Sequence, residues 1–301
     1  MNLYIQKETP VNTITEKKKI AFQGMLGAYS DLACRAARPK YETVPCESFD
    51  AAFRAVRQGK ADYAMIPVDN TLAGRVADVH YLMPEGQLSI VGEHFQLIRH
   101  CVLGLANSDI TKLTDLYSHV HAIPQCRNFI KNNKITSHVC ADTATAAANI
   151  KKWNDPTKGA IASELAAEIY GLEILKQDIQ DADHNTTRFL ILKRNGQPPK
   201  WEAGTRYLTS LVFEVRNIPA ALYKGLGGFA TNNVQMVKLE SYVDKYFNVA
   251  RFYADVEGHI DEPSLQLALD ELHFFAKKVM VLGTYPAHPF RSGLKEHPIL
   301  D

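Results

Sequence analysis

The chain has no long apolar segment, little net charge and few cysteines, and each shortage excludes a class of protein. No stretch approaches the ~20 apolar residues that a membrane-spanning helix needs. Its 34 Lys and Arg against 33 Asp and Glu leave a net charge of +1, whereas nucleic-acid-binding proteins usually carry a clear positive excess. A hydrophobic content of 46% at this charge balance excludes a disordered chain. We therefore expect a folded protein whose partners include neither a membrane nor a nucleic acid.

The cysteines and the first residues point to the cytoplasm. The five cysteines have an odd count and no C-x-x-C spacing, so we expect neither a disulfide framework nor a cysteine zinc site. Reduced thiols of this kind are typical of a cytoplasmic protein. Residues 1–18 are polar and lack the apolar core of a signal peptide, and we predict that they form a flexible leader.

A Pro- and Gly-rich segment, residues 196–205, is predicted to be a linker between two regions. In residues 19–195 strand and helix patterns alternate. Ser30 and Ser48 each stand where a helix N-cap is expected, and the apolar run Tyr63–Val68 is typical of a strand that is buried on both faces. This βαβ rhythm predicts a largely parallel sheet, in which ligands bind at the carboxyl ends of the strands.

Residues 206–291 follow a different pattern, and residues 292–301 form a predicted tail. Alternating apolar residues predict strands, and residues that recur at i, i+3 and i+4 predict helices. The resulting order is βαββαβ, the ferredoxin-like plan. The predicted strands cover 211–215, 234–243, 247–256 and 279–283, and the helices lie after 217–219 and over 265–275.

Four segments carry residues that could do chemistry, although each also has a purely structural interpretation. Asn185–Phe189 holds Arg188, a fork for a carboxylate, and Thr187, a hydroxyl donor, yet on pattern alone a solvated loop is favoured. Ser118 and His119 are predicted to cap a helix that carries Gln125.

The other signals are weaker. His119 and His121 stand at i, i+2 without a further ligand nearby, so a metal site is not expected. Asn70 and Thr71 fit a turn after the buried strand. Gly24–Ser30 is neither G-x-G-x-x-G nor a Walker loop. The residues alone therefore predict an anion-binding α/β region followed by a small domain of regulatory type.

Several short motifs, taken in their order and spacing, resemble the single-function prephenate dehydratases that carry a C-terminal ACT domain. The resemblance runs from about Lys19 to Arg291. Its motifs are Gly27–Ser30, Val44–Phe49, Ala61–Tyr63, Ile66–Thr71, Ile98–Cys101, Tyr117–His119, Gln125–Cys126, Ile161–Ala166 and Asn185–Phe189.

The resemblance implies the fold and the reaction. The catalytic region is expected to consist of two α/β subdomains, like a type II periplasmic binding protein, with the active site in the cleft between them. Subdomain one is expected at about 19–99 and 181–195, and subdomain two at about 100–180. The family converts prephenate to phenylpyruvate, with loss of water and carbon dioxide, in phenylalanine biosynthesis. It needs neither a cofactor nor a metal.

Family roles carry over to matching positions of this chain. The catalytic threonine falls on Thr187, and the functional asparagine, serine and glutamine fall on Asn70, Ser118 and Gln125. We predict that Thr187 donates a hydrogen bond to the departing ring hydroxyl and that Arg188 binds the pyruvyl carboxylate. Phe189 completes the predicted catalytic set, and the predicted substrate-binding residues are Ser30, Thr71, His119 and Thr186. His119 is also a reserve proton donor.

In the family the ACT domain binds phenylalanine, which lowers activity. Two motifs usually carry this site, Gly-Ala-Leu and Glu-Ser-Arg-Pro, and here they read Ala220–Leu222 and Glu240–Val243. We expect phenylalanine binding with altered affinity; an ACT domain kept only for assembly is the competing interpretation. The predicted regulatory residues are Asn217, Pro219, Ala220, Ala221, Leu222, Glu240 and Ser241.

ACT domains often pair across subunits, so the resemblance also implies a homodimer or a tetramer of dimers. Two alternatives stay open on function: an arogenate dehydratase, and a catalytically silent amino-acid sensor on the same fold. The retained site residues disfavour the sensor. A transport-type binding protein is disfavoured further, because no export signal is present.

Overall fold

The computed structural model describes residues 17–76, 82–83, 85, 87–216, 218–243 and 249–293. In this part of the chain the strands are β1 (Lys19–Gln23), β2 (Glu42–Cys46), β3 (Tyr63–Asn70), β4 (Gly74–Arg75), β5 (Leu88–Leu97), β6 (Cys101–Gly104), β7 (Asp115–His119), β8 (Thr136–Cys140), β9 (Lys158–Ala162), β10 (Glu173–Lys176), β11 (Thr186–Arg194), β12 (Tyr207–Val215), β13 (Met236–Val243), β14 (Val249–Glu257) and β15 (Ala276–Pro286). The α-helices are α1 (Tyr29–Ala37), α2 (Phe49–Arg57), α3 (Arg127–Asn132), α4 (Thr143–Trp153), α5 (Glu164–Tyr170), α6 (Ala221–Thr231), α7 (Pro263–Phe275) and α8 (Phe290–Gly293), and 3-10 turns cover Ile110–Lys112 and Ile123–Cys126.

The first sheet has the order β2-β1-β3-β11-β5, with β4 paired to β3, and we call the body around it lobe one. β1 runs parallel to β2 and β3, whereas β11 is antiparallel to both of its neighbours. Because side chains alternate along a strand, β11 contributes to two cores. Phe189 packs on the side of α1, and Leu190 packs on the side of α2.

Lobe two surrounds the second sheet, whose order is β10-β6-β9-β7-β8. The parallel strands β8, β7 and β9 are flanked by helices, and β6 and β10 complete the sheet in antiparallel fashion. The chain passes from lobe one to lobe two at 98–100 and returns at 177–185. Two α/β lobes joined by two crossing segments are the arrangement that the resemblance implied.

The C-terminal domain, residues 207–286, confirms the predicted βαββαβ order. Its antiparallel sheet runs β13-β14-β12-β15. One face is covered by α6 and α7, where Phe213, Phe252 and Leu272 are buried together. The other face packs on lobe one, and Tyr253 and Tyr285 share a core with residues of the first sheet.

The C-terminal domain approaches lobe one closely. At Gly283, on β15, an added Cβ would overlap the backbone carbonyl of Ile90 on β5, so only glycine fits. Glu93 and Arg188 emerge from the same face of lobe one, beneath this domain. The docked sheet therefore decides what surrounds one face of β11.

The structure corrects three predictions and confirms a fourth. Instead of one largely parallel sheet, residues 19–195 form two mixed sheets, because β11 and β6 each run antiparallel to both of their neighbours. Ser48 caps α2, since its Oγ accepts from Ala51 N. Ser30 does not cap α1: the N-cap is Ala28, and the buried Asp31 carboxylate accepts from Gly27 N instead. Ser118 lies within β7 and caps no helix, because this segment pairs in register with both β8 and β9.

Candidate active site

Asn70 and Thr187 are directly opposite each other at the ends of β3 and β11. Asn70 Nδ2 donates to Thr187 Oγ1 over 2.9 Å. The orientation of the Asn70 amide is fixed, because its Oδ1 accepts from the backbone N–H groups of Leu72 and Ala73 at 2.9 and 2.7 Å. The Thr187 oxygen therefore accepts a protein hydrogen bond. Among the described residues no group accepts its proton, which can be donated to a bound molecule.

Gln125 reaches this pair from lobe two. It lies in the 3-10 turn Ile123–Cys126, and its Oε1 accepts from Asn185 Nδ2 at 2.8 Å. Asn185 in turn accepts at Oδ1 from Asn70 Nδ2 over 2.8 Å. The side-chain amides of Gln125, Asn185 and Asn70 thus form a hydrogen-bonded chain that runs from lobe two to Thr187 in lobe one. Within the described ranges, no hydrogen bond engages Gln125 Nε2, so this amide is a second available donor.

His100 and Tyr29 extend this set of contacts into the region where the lobes meet. His100 Nε2 lies 2.8 Å from Gln125 Oε1, and its Nδ1 lies 2.8 Å from Tyr29 Oη. His100 is 2% exposed. Burial lowers the pKa of its imidazole, and the bond to Gln125 opposes this only in part. Burial likewise raises the pKa of Tyr29 well above its usual value. Burial therefore keeps the tyrosine un-ionised at neutral pH and favours the neutral form of the imidazole.

Arg188 has a different position from the one predicted. Its side chain is 6% exposed and points away from Thr187, toward the C-terminal domain. Nε donates to Glu93 Oε2 at 2.8 Å, Nη1 to Asp255 Oδ2 at 2.6 Å and Nη2 to Tyr285 Oη at 3.1 Å. The predicted contact with a substrate carboxylate is not supported, because all three nitrogens already bind protein groups.

The carboxylates around Arg188 are buried but ionised. Burial alone would raise the pKa of Glu93, yet the adjacent Arg291 and Arg188 hold it below its usual range. Burial also opposes ionisation of Asp255, but Arg188 and hydrogen bonds from neighbouring hydroxyls lower its pKa. We call Arg188, Glu93, Asp255 and Arg291 the interdomain ion cluster. It fastens the C-terminal domain to lobe one.

Phe189 and Ser118 do not face an open site. The Phe189 ring is 1% exposed and packs in the core beside α1, so the predicted catalytic contact is not supported. Ser118 is fully buried, and its hydroxyl donates to the carbonyl of Ile161 at 2.6 Å. Its proton is therefore already committed, and Ser118 joins β7 to β9.

Of the predicted substrate-binding residues, Thr71 and Thr186 line one cavity together with Asn70, whereas Ser30 and His119 lie elsewhere. Thr71 Oγ1 donates to the carbonyl of His184 and accepts from the N–H of Thr186, both at 2.9 Å, so it fixes the turn beside Asn70. The Thr186 side chain borders a cavity against the C-terminal domain. Ser30 lies in the first turn of α1. His119 ends β7, and burial, then the nearby His121, lower its pKa.

The predicted regulatory residues occupy two parts of the C-terminal domain. Pro219 and Ala220 precede α6, and Ala221 and Leu222 open it. Ala220 has a φ of +57°, a left-handed conformation that favours glycine. Glu240 faces lobe one and pairs with Lys238 at 3.0 Å, whereas Ser241 is opposite Phe252, whose ring packs on the helix side. Asn217 lies outside the described residues.

In the described part of the chain, no group of three or more His, Cys, Asp or Glu side chains is arranged to hold a metal ion. Within the same residues, no helix is long and apolar enough to cross a membrane.

The sequence interpretation missed His100, Tyr29 and Asn185 as participants in the site. All three lie in the family motifs, which was the available signal, but nothing in the local pattern distinguishes His100 from an ordinary core histidine. The interdomain ion cluster was missed as well, because its members are far apart in sequence and carry no motif.

Comparison with known proteins gives consistent results. Residues 20–197 match the family model of prephenate dehydratase. A bifunctional N-acyl-homoserine lactone acylase/prephenate dehydratase of Komagataeibacter europaeus is 48% identical, over 90% of this chain and 97% of that protein. The chloroplastic arogenate dehydratase/prephenate dehydratase 1 of Arabidopsis thaliana is 38% identical, over 90% and 72%. The solved structure of a prephenate dehydratase from Arthrobacter aurescens in complex with L-Phe has a TM-score of 0.82 at 26% identity, over 94% of this chain and 92% of that one.

Proposed function

The chain belongs to the prephenate dehydratase family of hydro-lyases, and we propose that it converts prephenate to phenylpyruvate, water and carbon dioxide. The observation that carries the proposal is the donor pair at the junction of the lobes. The Thr187 hydroxyl has its oxygen occupied by Asn70 and its proton available, and Gln125 Nε2 is available on the facing lobe.

The chemistry needs only positioned donors. Prephenate loses its ring carboxylate as carbon dioxide while the ring hydroxyl leaves, after gaining a proton, as water. Thr187 donates a hydrogen bond to the departing hydroxyl. Because a threonine hydroxyl is a poor acid, positioning and stabilisation of developing charge supply most of the rate. Gln125 donates to the substrate from the other lobe. His119 is the proposed proton source; burial lowers the pKa of its imidazole, so its protonated form is a stronger acid.

Removal of the hydroxyl tests the proposal. Thr187→Ala should lower kcat/KM by ~10²-fold or more, the usual effect of losing a transition-state hydrogen bond. Thr187→Ser, which keeps the hydroxyl, is the matched control and should retain most activity. The assay follows phenylpyruvate by its absorbance in alkali. An alanine variant within about threefold of wild type would contradict the assigned role.

Arogenate is the alternative substrate, because the Arabidopsis thaliana relative carries both activities in its name. Arogenate has an amino group where prephenate has a keto group, and its product is phenylalanine. Parallel assays of both substrates, with phenylalanine measured by chromatography, give the ratio of the two kcat/KM values. If neither substrate is turned over, the silent amino-acid sensor becomes the better interpretation.

We further propose that phenylalanine binds the C-terminal domain and lowers activity. The solved relative from Arthrobacter aurescens is a complex with L-Phe, and the C-terminal domain here has the ACT strand order. A ligand that binds only the folded state must stabilise it, so millimolar phenylalanine should raise the melting temperature. Tyrosine at equal concentration is the control for specificity. An unchanged melting temperature would leave the domain with a role in assembly only.

The contacts between β3, β11 and the C-terminal domain suggest how such a signal would travel. Asp69, which forms an ion pair with Lys238 of β13, precedes Asn70. Arg188, which binds Asp255 of β14, follows Thr187. A shift of the C-terminal sheet therefore acts on the residues adjacent to both members of the Asn70–Thr187 pair.

The second candidate function is hydrolysis of an N-acyl-homoserine lactone to a fatty acid and homoserine lactone. The Komagataeibacter europaeus relative carries this activity in its name, at 48% identity over nearly its whole length. A cavity of about 1020 Å³ between lobe one and the C-terminal domain offers space for an acyl chain. Its apolar lining residues include Phe95, Leu97, Val237, Leu239 and Phe290. Mass spectrometry of released homoserine lactone, with wild type and Thr187→Ala, would detect this activity and show whether it shares the dehydratase site.

We propose a homodimer or a tetramer of dimers that assembles through the C-terminal domain. Apolar side chains stay exposed around its edge strand and first helix: Val243 is 45% and Tyr223 81% exposed. Light scattering after gel filtration gives the mass.

We also propose a cytoplasmic location, since all five cysteines are free thiols.

A further inference from the structure

The orientation of each amide in the site can be derived from one fixed point. The backbone N–H groups of Leu72 and Ala73 both bind Asn70 Oδ1, so the oxygen of Asn70 must face them and its NH2 must face Asn185 and Thr187. The Asn185 oxygen must then face Asn70, and its NH2 must face Gln125. Each assignment follows from donor and acceptor pairing alone.

Donor and acceptor pairing also places a proton on His100 Nε2. Gln125 Oε1 accepts from Asn185, and as an acceptor it can face only a donor at His100 Nε2, 2.8 Å away. Nε2 therefore carries a proton. On the other side of the ring, Tyr29 Oη lies 2.8 Å from Nδ1 and donates to the carbonyl of Arg99 at 2.7 Å, so the assignment of the Nε2 proton does not depend on the Tyr29 proton.

His100 is itself held firmly from several elements. Its backbone N–H donates to Gln180 Oε1 at 2.9 Å, and its carbonyl accepts from Ile179 N at 3.0 Å, both from the segment that returns to lobe one. Tyr29 comes from α1 of lobe one and Gln125 from lobe two. The imidazole is thus fixed where the two lobes and both crossing segments meet.

We propose that His100 is a positioning residue for the dehydratase reaction. Through Nε2–H it holds the oxygen of Gln125 inward, so that the Gln125 NH2 group remains the donor offered to substrate. Without this bond, Asn185 alone among the described residues holds the Gln125 oxygen. A Gln125 amide turned by 180° would then present its oxygen, an acceptor, to the dianionic substrate. The inference rests on the proposed function, because it assigns the free Gln125 NH2 group to prephenate. The presence of a proton on His100 Nε2 does not depend on that function.

The variants follow from these contacts. His100→Leu removes the donor, yet it leaves no buried hydroxyl unpaired, because Tyr29 Oη also lies 2.7 Å from the carbonyl of Arg99. It should lower kcat/KM about tenfold, the scale of one hydrogen bond. His100→Gln restores an N–H near the position of Nε2 and should return activity to within about threefold of wild type. The double variant His100→Leu with Gln125→Ala should be no worse than Gln125→Ala alone.

Three results would overturn the proposal: full activity of His100→Leu, failure of His100→Gln to recover activity, or additive losses in the double variant. Should His100→Leu fail to fold, ¹⁵N NMR of the histidines in the wild-type protein tests the assignment directly. The signal that is absent from the His100→Gln spectrum must show a protonated Nε2, and an unprotonated Nε2 would refute the proposal. If the wild-type protein turned over neither prephenate nor arogenate, the proposed function would be refuted. The NMR result on His100 Nε2 would remain valid, because it does not depend on activity.

Discussion

Replacement of Arg188 by methionine should destabilise the protein substantially, because it removes the central cation of the interdomain ion cluster. Methionine is similar in length and apolar, so the main change is electrostatic. Glu93 keeps Arg291, at 2.7 and 2.9 Å. Asp255 loses its cationic partner at 2.6 Å, and the partners that remain to it among the described residues are the hydroxyls of Ser210 and Tyr253. Breaking a buried pair in this way typically costs about 3–5 kcal/mol, since one charge remains buried without compensation.

The expected change in melting temperature follows from the size of the chain. Unfolding entropy of about 2.1 cal/mol/K per residue gives roughly 0.63 kcal/mol/K for a chain that unfolds as one unit. A loss of about 3–5 kcal/mol then lowers the melting temperature by about 5–8 °C. Circular dichroism during heating at pH 7.5 measures this shift.

A matched control isolates the effect of burial. Arg206 pairs with Glu257 at an equally short 2.6 Å, but the two side chains are 38% and 30% exposed. Such a pair contributes at most about 1 kcal/mol, so Arg206→Met should lower the melting temperature by less than about 2 °C. If Arg188→Met melted no lower than Arg206→Met, the cluster would not hold the domains together as argued.

Three further predictions concern pH and backbone conformation. The pKa values of Glu93 and Asp255 are depressed in the folded state, so their contribution to folding stability is complete above the unfolded values near 4 and is lost as pH falls through the folded values. The difference in stability between wild type and Arg188→Met should therefore shrink below about pH 4. Thermal melts of both proteins from about pH 7 to about pH 3 measure this difference. Ala220→Gly should raise the melting temperature by about 1–2 °C, because it relieves a left-handed alanine, and a decrease would contradict this reasoning. Gly27→Ala should lower the free energy of unfolding by about 1–3 kcal/mol and raise KM, because a Cβ there would lie 2.9 Å from Ala166 Cα on lobe two. Denaturant unfolding measures the first effect and initial rates measure the second. Unchanged values would show that the two lobes do not need to come this close at Gly27.

The fold was largely predictable, because periodicity is a local property. The apolar run of β3 and the alternation in β12 identify buried strands without knowledge of their neighbours. The Ser118 segment shows the limit of such signals. A Ser-His pair before Gln125 fits a helix start, yet the segment is strand β7, because pairing with β8 and β9 outweighs the local preference. The domain boundaries read from the sequence stay a prediction.

The site was predictable only where a motif marked it. Thr187, Asn70 and Gln125 came from the resemblance, and the structure brings them together through Asn185. The role predicted for Arg188 failed for a nonlocal reason. Alternation along β11 shows that Arg188 faces away from Thr187, but only the docked C-terminal sheet reveals that Asp255 and Tyr285 occupy that side.

The two-residue period of a strand places Thr187 and Arg188 on opposite faces of β11, and this bears on how enzyme activity would be controlled. On β11 one residue faces the junction of the lobes and the next faces the C-terminal domain, and Asn70 and Asp69 repeat the arrangement on β3. Because these pairs are in register, the C-terminal domain holds the two strands at the position where the site needs them aligned. Under the proposed control by phenylalanine, a ligand that shifts that domain would alter the Asn70–Thr187 distance without touching either side chain. A domain docked on another face of lobe one would have to act through a longer path in the core.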